Sequence, residues 1–431
     1  MKNNIGTLAA NSSSWLRLLL AYPIVDYVLR KLLPIPVVSS FWDEGVLLVL
    51  LLFTLSSYMK SSPKMPDIRH VFLAFFVYGL GLMFTDMANF AASVEGFRAI
   101  YQYVIAFFIG YYLTKTDAEF EKLVKFMAVV GFLVGFYGVL QVVFKVETNQ
   151  AWVSEGEATT TRAFSIVTSP NVLGSYMAFI APVTLGLLLH AKTKMQRYIW
   201  AFCSLSSVAA LLGTGSRGAL FAFVFVVLVG GYVWDRRIGK YLLIAAVLGS
   251  LFLAVVPKET PVVGKVKDRV ASLFTEDYFK SSAKDGRIAR WTNAYHQMRI
   301  EPLFGAGEGH WGGAVATRHF DGKAAIYTDS YLFKTLAETG IIGVGLLISL
   351  VALTIRYALR TVQKWRGTPH YFLGLGLFCG LLAVGLHNAV ENIFEVPFMS
   401  TYFWLMGGMM CALSLRSVPA SEGTSQPKPF E

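Results

Sequence analysis

Residues 198–234 read YIWAFCSLSSVAALLGTGSRGALFAFVFVVLVGGYVW. Two apolar runs, Tyr198 to Leu212 and Ala219 to Trp234, flank the very short turn Gly213-Thr214-Gly215-Ser216-Arg217-Gly218. Each run approaches the roughly 20 residues that a helix needs to cross about 30 Å of hydrocarbon. The pair therefore reads as a membrane hairpin with one arginine at its tip. The pattern recurs outward in both directions. Before it lie Trp15 to Leu29, Phe41 to Met59, Val71 to Phe84, Ile100 to Leu113, Phe126 to Phe144 and Val172 to Leu189. After it come Tyr241 to Val256, Ile341 to Ile355, Tyr371 to Leu386 and Val396 to Leu415. Composition agrees, since 55% of the 431 residues are hydrophobic, 15% are charged and the mean hydropathy is +0.53. A soluble domain is excluded, because lipid must be the solvent for most of these side chains. The expected fold is an all-α polytopic membrane protein of about twelve transmembrane helices, with a large outward loop that contains short helices.

Orientation follows from lysine and arginine, which resist translocation when they lie close to a span. Every second loop is basic: Lys60, Lys64 and Arg69; Lys115, Lys122 and Lys125; Lys192, Lys194 and Arg197; Arg236, Arg237 and Lys240; Arg356, Arg360, Lys364 and Arg366. These loops, and with them both termini, are expected in the cytoplasm. Arg30 and Lys31 are the exception. They follow Trp15 to Leu29 without a small-residue cleavage site, so that segment reads as the first span rather than a signal peptide. The organisation expected is 1–256 as helices one to nine, with an outward segment at 145–168, then 257–328 as the large outward loop. Residues 329–416 supply the last three helices, and 417–431, rich in Ser, Pro and Gly, a disordered tail. Within the large loop, Asp268 to Phe274 and Arg287 to Ile300 have helical spacing of apolar residues. Cys203, Cys379 and Cys411 lie in apolar runs, which supports neither a disulfide framework nor a thiolate metal site.

On this topology polar residues from separate loops converge on one face. Arg162, Arg217, Arg287 and Arg290 are guanidiniums suited to bidentate binding of phosphate oxygens. Arg217 either holds such a group or snorkels to lipid headgroups. In Ser169-Pro170-Asn171, which opens a span, Asn171 is either a helix cap or a ligand contact. Glu308 and His310, in the glycine-rich Gly305-Ala306-Gly307-Glu308-Gly309-His310-Trp311, are a candidate acid and base, or else an exposed turn. Asp329 is a candidate general base or arginine partner, or a helix cap, and Glu338 lies on the same segment. His387, Asn388, Glu391 and Asn392 cluster in the last outward turn, where they either line the same cavity or satisfy one another. His296 on the surface helix packs or faces solvent. The chain has no Walker-type loop, dinucleotide fingerprint, zinc-protease helix or acid-rich metal motif, so no cofactor, metal or nucleic acid is expected.

In order along the chain, these pieces resemble the O-antigen ligase and Wzy-type polysaccharide polymerase superfamily of bacterial inner membranes. The resemblance covers about Arg162 to Gly408. It rests on Arg162 upstream of Ser169-Pro170-Asn171, on Thr214-Gly215-Ser216-Arg217-Gly218, and on Gly286-Arg287 leading to Pro302-Leu303-Phe304-Gly305-Ala306-Gly307. It continues with Asp329-Ser330-Tyr331-Leu332 running into Leu336-Ala337-Glu338-Thr339-Gly340. It implies metal-independent, inverting glycosyl transfer on an undecaprenyl-diphosphate-linked glycan at the periplasmic face, by a membrane-embedded C-type glycosyltransferase-like protein. Residues matching Arg217 and Arg287 would hold the diphosphate. Ligases that act on lipid A-core have His-Asn where this chain has Thr328-Asp329. That departure favours a polymerase, with Asp329 as first candidate base and His310 or Glu308 behind it. The implied partners are membrane lipids and, in the same pathway, a flippase and a chain-length regulator. A ligase, or a transporter of the lipid-linked glycan, are the competing readings.

Overall fold

In the computed structural model, residues 12–60, 65–149, 161–255 and 276–416 are described. The expected helix at Asp268 to Phe274, the expected tail at 417–431 and part of the segment 145–168 lie outside them. Among the described residues the chain is all-helical, without a strand. Among the described residues each apolar run lies mainly on helix, and several of these helices run past the apolar residues. Tyr198 to Leu212, for instance, becomes Lys194–Thr214, and Ala219 to Trp234 becomes Arg217–Trp234. Intrahelical hydrogen bonding continues into flanking polar residues, because a peptide group at the lipid boundary must be paired.

Among the described residues, six helices are long and apolar enough to cross a membrane: Val38–Lys60, Asp117–Val143, Pro170–His190, Arg217–Trp234, Tyr331–Lys364 and Pro397–Leu415. Ile68–Met83 and Tyr371–His387 are apolar but shorter. The expected twelve are therefore not reached on length and composition alone. The other segments are broken or carry polar ends. Phe90–Tyr101, a 3-10 turn at Tyr103–Ile105 and Ala106–Leu113 share one apolar region. The first segment passes from Tyr22–Tyr27 into a π-turn at Val28–Leu32. Lys194–Thr214 and Arg236–Val255 each begin on basic residues.

Pro170–His190 and Pro397–Leu415 are the most buried spans and form the centre. Small residues let their neighbours approach backbone to backbone. A Cβ at Gly376 would stand 2.4 Å from Pro182 O, and one at Gly380 would stand 2.7 Å from Phe179 O. Alanine there would wedge Tyr371–His387 off Pro170–His190, an overpacking of roughly 1–3 kcal/mol.

The hairpins alternate in direction, so helix ends collect in two sets. One set holds the starts of Pro170–His190, Arg217–Trp234 and Tyr331–Lys364 and the ends of Lys194–Thr214 and Tyr371–His387. At the opposite end, His190 Nδ1 lies 2.6 Å from Pro369 O, and Arg366 Nη2 donates to Trp234 O at 3.1 Å. The basic residues Lys192, Arg236 and Arg366 belong to that second end. Tyr331–Lys364 is bent at Gly340, whose φ of 62° and ψ of −167° interrupt the helix. At 1.5 Å per residue a straight 34-residue helix would measure roughly 50 Å, so the turns before the bend need not lie in hydrocarbon.

Candidate functional site

The segment before Pro170 is laid onto the bundle by its own backbone. Ala163 N donates to Gly213 O at 2.9 Å, and Gln141 Oε1 accepts from Ser165 N at 2.7 Å and Phe164 N at 3.2 Å. This places the Arg162 guanidinium over the tip of the neighbouring hairpin, where Nε donates to Thr214 O at 2.8 Å. Ser169, not Asn171, caps the following helix, its hydroxyl accepting from Val172 N at 3.4 Å, with Pro170 in the first turn. The Asn171 side chain is thereby released for tertiary contacts. Its Oδ1 accepts from Arg162 Nη2 at 3.2 Å, and its Nδ2 donates to Glu391 Oε2 at 2.8 Å.

From the large loop, Arg287 is the first residue of the Arg287–Ile300 helix, so it and Arg290 lie one turn apart on one face. Arg287 Nη2 reaches Glu391 Oε2 at 3.0 Å, and its Nε stands 4.0 Å from Asp329 Oδ2. Arg290 Nη1 donates to the same Asp329 oxygen. Trp291 Nε1 donates to Asp329 O at 3.3 Å, and its ring stacks on Phe333. Asp329 itself has φ 52°, a left-handed conformation that non-glycine residues hold only when surroundings impose it. It is not the helix cap. Ser330 is, accepting from Phe333 N at 3.3 Å, so the Asp329 carboxylate faces the arginines.

The result is a continuous chain of contacts, Arg162 to Asn171 to Glu391 to Arg287 to Asp329 to Arg290. Glu391 is its hub, and the Asn388 carbonyl accepts from Tyr331 N at 2.9 Å to hold the turn 388–396 against Asp329's helix. Three guanidiniums face two carboxyls. Burial pushes the Glu391 carboxyl up to about 7, while Arg287 draws it back and Asp329 adds to the rise. Near neutral pH the network therefore keeps a cationic excess, the condition for taking up an anion.

A pH dependence of stability follows with a definite sign. Folding raises the proton affinity of Glu391 from 4.5 to about 7. Its contribution is complete below about 4.5 and is lost as pH rises through about 7. Replacing Glu391 by Gln is expected to shrink the fall in melting temperature between about pH 5 and about pH 8. Parallel curves for the two proteins in detergent would show that Glu391 ionises normally.

Arg217 is the first residue of its helix, after Gly215 at φ 61° closes the preceding one. The adjoining Gly218 is pressed onto His387, since a Cβ there would stand 2.9 Å from His387 Nε2. His387 is buried and its Nδ1 has no hydrogen-bond partner among the described residues. Below this turn a groove of about 450 Å³ opens between the helices, lined by Gly218, Phe221, Phe225, Leu386 and Val390. The groove is apolar and ends at the arginine turn.

Glu308, His310 and Glu338 form a separate, buried cluster rather than joining Asp329, so the alternative of an exposed turn does not hold for Glu308 and His310. Gly307 N donates to Glu338 O at 2.9 Å, and Ile341 N to Pro302 O at 2.9 Å, so the glycine-rich loop is latched onto the bend at Gly340. His310 Nε2 lies 3.2 Å from Asp86 Oδ2. Glu308 is fully buried, neither carboxyl oxygen has a hydrogen-bond partner among the described residues, and the Tyr101 side chain is near enough to favour its charged form. Burial pushes it up to about 8, which keeps it neutral and explains how it tolerates the site. Glu338 is paired with Lys334, whose Nζ also lies 3.4 Å from Glu395 Oε1. Of the residues proposed from sequence, Arg162, Asn171, Arg287, Arg290 and Asp329 are thus assembled, and Arg217 and His387 adjoin them. Glu391, read from sequence with His387 in the last outward turn, is the hub, and Lys334 and Glu395 are the additions. The i,i+4 spacing of Lys334 and Glu338 was a legible signal for the first of these.

His296 is exposed on the Arg287–Ile300 helix and belongs to neither cluster. No curated protein matches the chain. Residues 201–348, which hold Arg217, Arg287, Arg290 and Asp329 but neither Arg162 nor Glu391, match the family model described as O-antigen ligase. Over that segment, about a third of the chain, the sequence is similar to the O-antigen ligase family.

Proposed function

We propose that the protein is a polysaccharide polymerase, joining undecaprenyl-diphosphate-linked repeat units by inverting glycosyl transfer at the periplasmic face of a bacterial inner membrane. The observation that carries this reading is the convergence of Arg162, Arg287 and Arg290 on Asp329 and Glu391 at one end of the bundle. The apolar groove beneath Gly218 supports it, because a polyprenyl chain seated there would present its diphosphate at Arg217 and the arginine network. The basic loops lie at the other end, in keeping with a twelve-span topology that puts this site outside and both termini in the cytoplasm.

In this mechanism Asp329 accepts the proton of an acceptor sugar hydroxyl as that oxygen attacks the anomeric carbon. The bond from that carbon to the diphosphate oxygen breaks, the configuration inverts, and lipid diphosphate leaves with the bonding electrons. Arg287, Arg290 and Arg217 stabilise the charge that gathers on it. Thr328 precedes the base and is buried, with no hydrogen-bond partner for its hydroxyl among the described residues. A histidine in its place is what the ligase reading would require.

Incubating the purified protein with lipid-linked repeat units tests the proposal. Chain growth with released undecaprenyl diphosphate is expected. Transfer to lipid A-core alone would replace it by ligation, and movement across liposomes without bond formation by transport. Asp329→Asn keeps the shape and removes the base, so turnover should fall about a hundredfold or more. An unimpaired variant would take the base role away from Asp329.

A further inference from the structure

A second pocket, of about 290 Å³, lies away from the arginine network. Glu95, Arg98, Ala99 and Gln102 line one side, with Arg318 and Glu395 opposite. Its charges are matched in pairs. Arg98 Nη2 stands 2.9 Å from Glu44 Oε1, Arg318 Nη2 stands 2.7 Å from Glu95 Oε2, and Glu395 faces Lys334 at 3.4 Å. A phosphate would find no cationic excess here, in contrast to the network around Glu391. What the pocket offers instead is a balanced array of donors and acceptors, with Gln102 on its wall beside the paired charges. Arrays of this kind, in a concave site, suit an uncharged polyhydroxyl ligand.

One wall residue, Tyr103, is held in place by a buried hydrogen-bond network. The Tyr103 hydroxyl donates to buried Asp43 at 2.9 Å, and Tyr22 donates to the same oxygen at 2.7 Å. The turn 388–396 carries both Glu395, on the pocket wall, and Glu391, the hub of the arginine network. It therefore marks a path from the reacting centre to the pocket. We infer that this pocket is a sugar subsite, binding uncharged residues of the glycan whose hydroxyl is presented to Asp329. The inference rests on the glycosyl transfer proposed above and gives it an acceptor-side binding site.

The test uses full-length protein in detergent and two probes, each followed by titration calorimetry. One is the lipid-free repeat unit released by mild acid from the producing cell's own lipid-linked intermediate; the other is undecaprenyl diphosphate. Ala99→Trp fills the pocket and should weaken glycan binding at least about tenfold, leaving undecaprenyl diphosphate affinity within about twofold. Gln102→Leu, nearly isosteric, should weaken glycan binding in the same direction and raise KM for the acceptor with little change in kcat, which guards against misfolding of the bulkier variant. Glycan binding that is absent, or equal in wild type and both variants, overturns the subsite. If the glycan binds through this pocket but no lipid-linked unit is ever joined, the subsite stands and the polymerase reading falls.

Discussion

Arg287→Ala is expected to reduce turnover by about a hundred- to a thousandfold, the loss associated with removing one preorganised group from a developing anion. The geometry explains why this arginine should matter most. It touches Glu391 through Nη2 at 3.0 Å and approaches Asp329 through Nε at 4.0 Å, so one planar guanidinium spans both carboxyls. Lysine presents a single point charge and cannot bridge the two, so Arg287→Lys should recover little of the activity. Losing Arg287 also removes the cation that draws Glu391's proton affinity down, so any activity left should shift its pH profile upward. Release of lipid diphosphate from a lipid-linked repeat, compared at equal amounts of folded protein, measures the effect. Wild-type turnover in Arg287→Ala would remove the arginine network from the proposed mechanism.

The second large effect concerns stability rather than chemistry. Lys334 is buried between Glu338, with which it makes a close pair, and Glu395 at 3.4 Å. A Cβ at Gly313 would stand 2.0 Å from Glu395 Oε1 and 2.2 Å from Lys334 Cε, so the glycine-rich loop closes directly over this cluster. Lys334→Met keeps the bulk and strands the fully buried Glu338 and the partly buried Glu395 without their cation, a loss of roughly 3–5 kcal/mol. The variant should melt well below wild type and accumulate poorly. Adding Glu338→Gln and Glu395→Gln should restore much of the melting temperature, since the remaining amides no longer need a counter-ion. A single variant as stable as wild type would show that water reaches the cluster. Because the loop 302–313, the bend at Gly340 and the turn 388–396 all meet at Lys334, its loss should also loosen the placement of Asp329 on the same helix.

Hydropathy is a property of neighbours in sequence, which is why the helices could be read from the chain: among the described residues each apolar run lies mainly on helix, and Arg287 to Ile300 became the helix Arg287–Ile300. Their number as spans was less legible, because serines, basic ends and 3-10 or π turns blur what length alone decides. The arginines of the site were also visible, since a guanidinium at a helix end beside an apolar run has few other uses. Asn171 illustrates the limit. Both cap and ligand contact fitted its place after Pro170, and only the hydroxyl of Ser169 on Val172 N settled the cap. Asp329 divided in the same way until Ser330 took the cap. Glu308 and His310 looked accessible on a glycine-rich loop, yet that loop packs beneath the surface because its backbone pairs with Ala337 and Glu338 across the bend.

By itself, then, the sequence determined the membrane-helical class, the superfamily resemblance and a short set of charged candidates, since each of these depends on residue type and local spacing. Only the tertiary structure decided which candidates share a site. The contact between Asn171 and Glu391 joins residues 220 positions apart, and that between Arg287 and Glu391 joins residues 104 apart. Such pairings arise from helices that close on one another, and nothing in the spacing along the chain carries them.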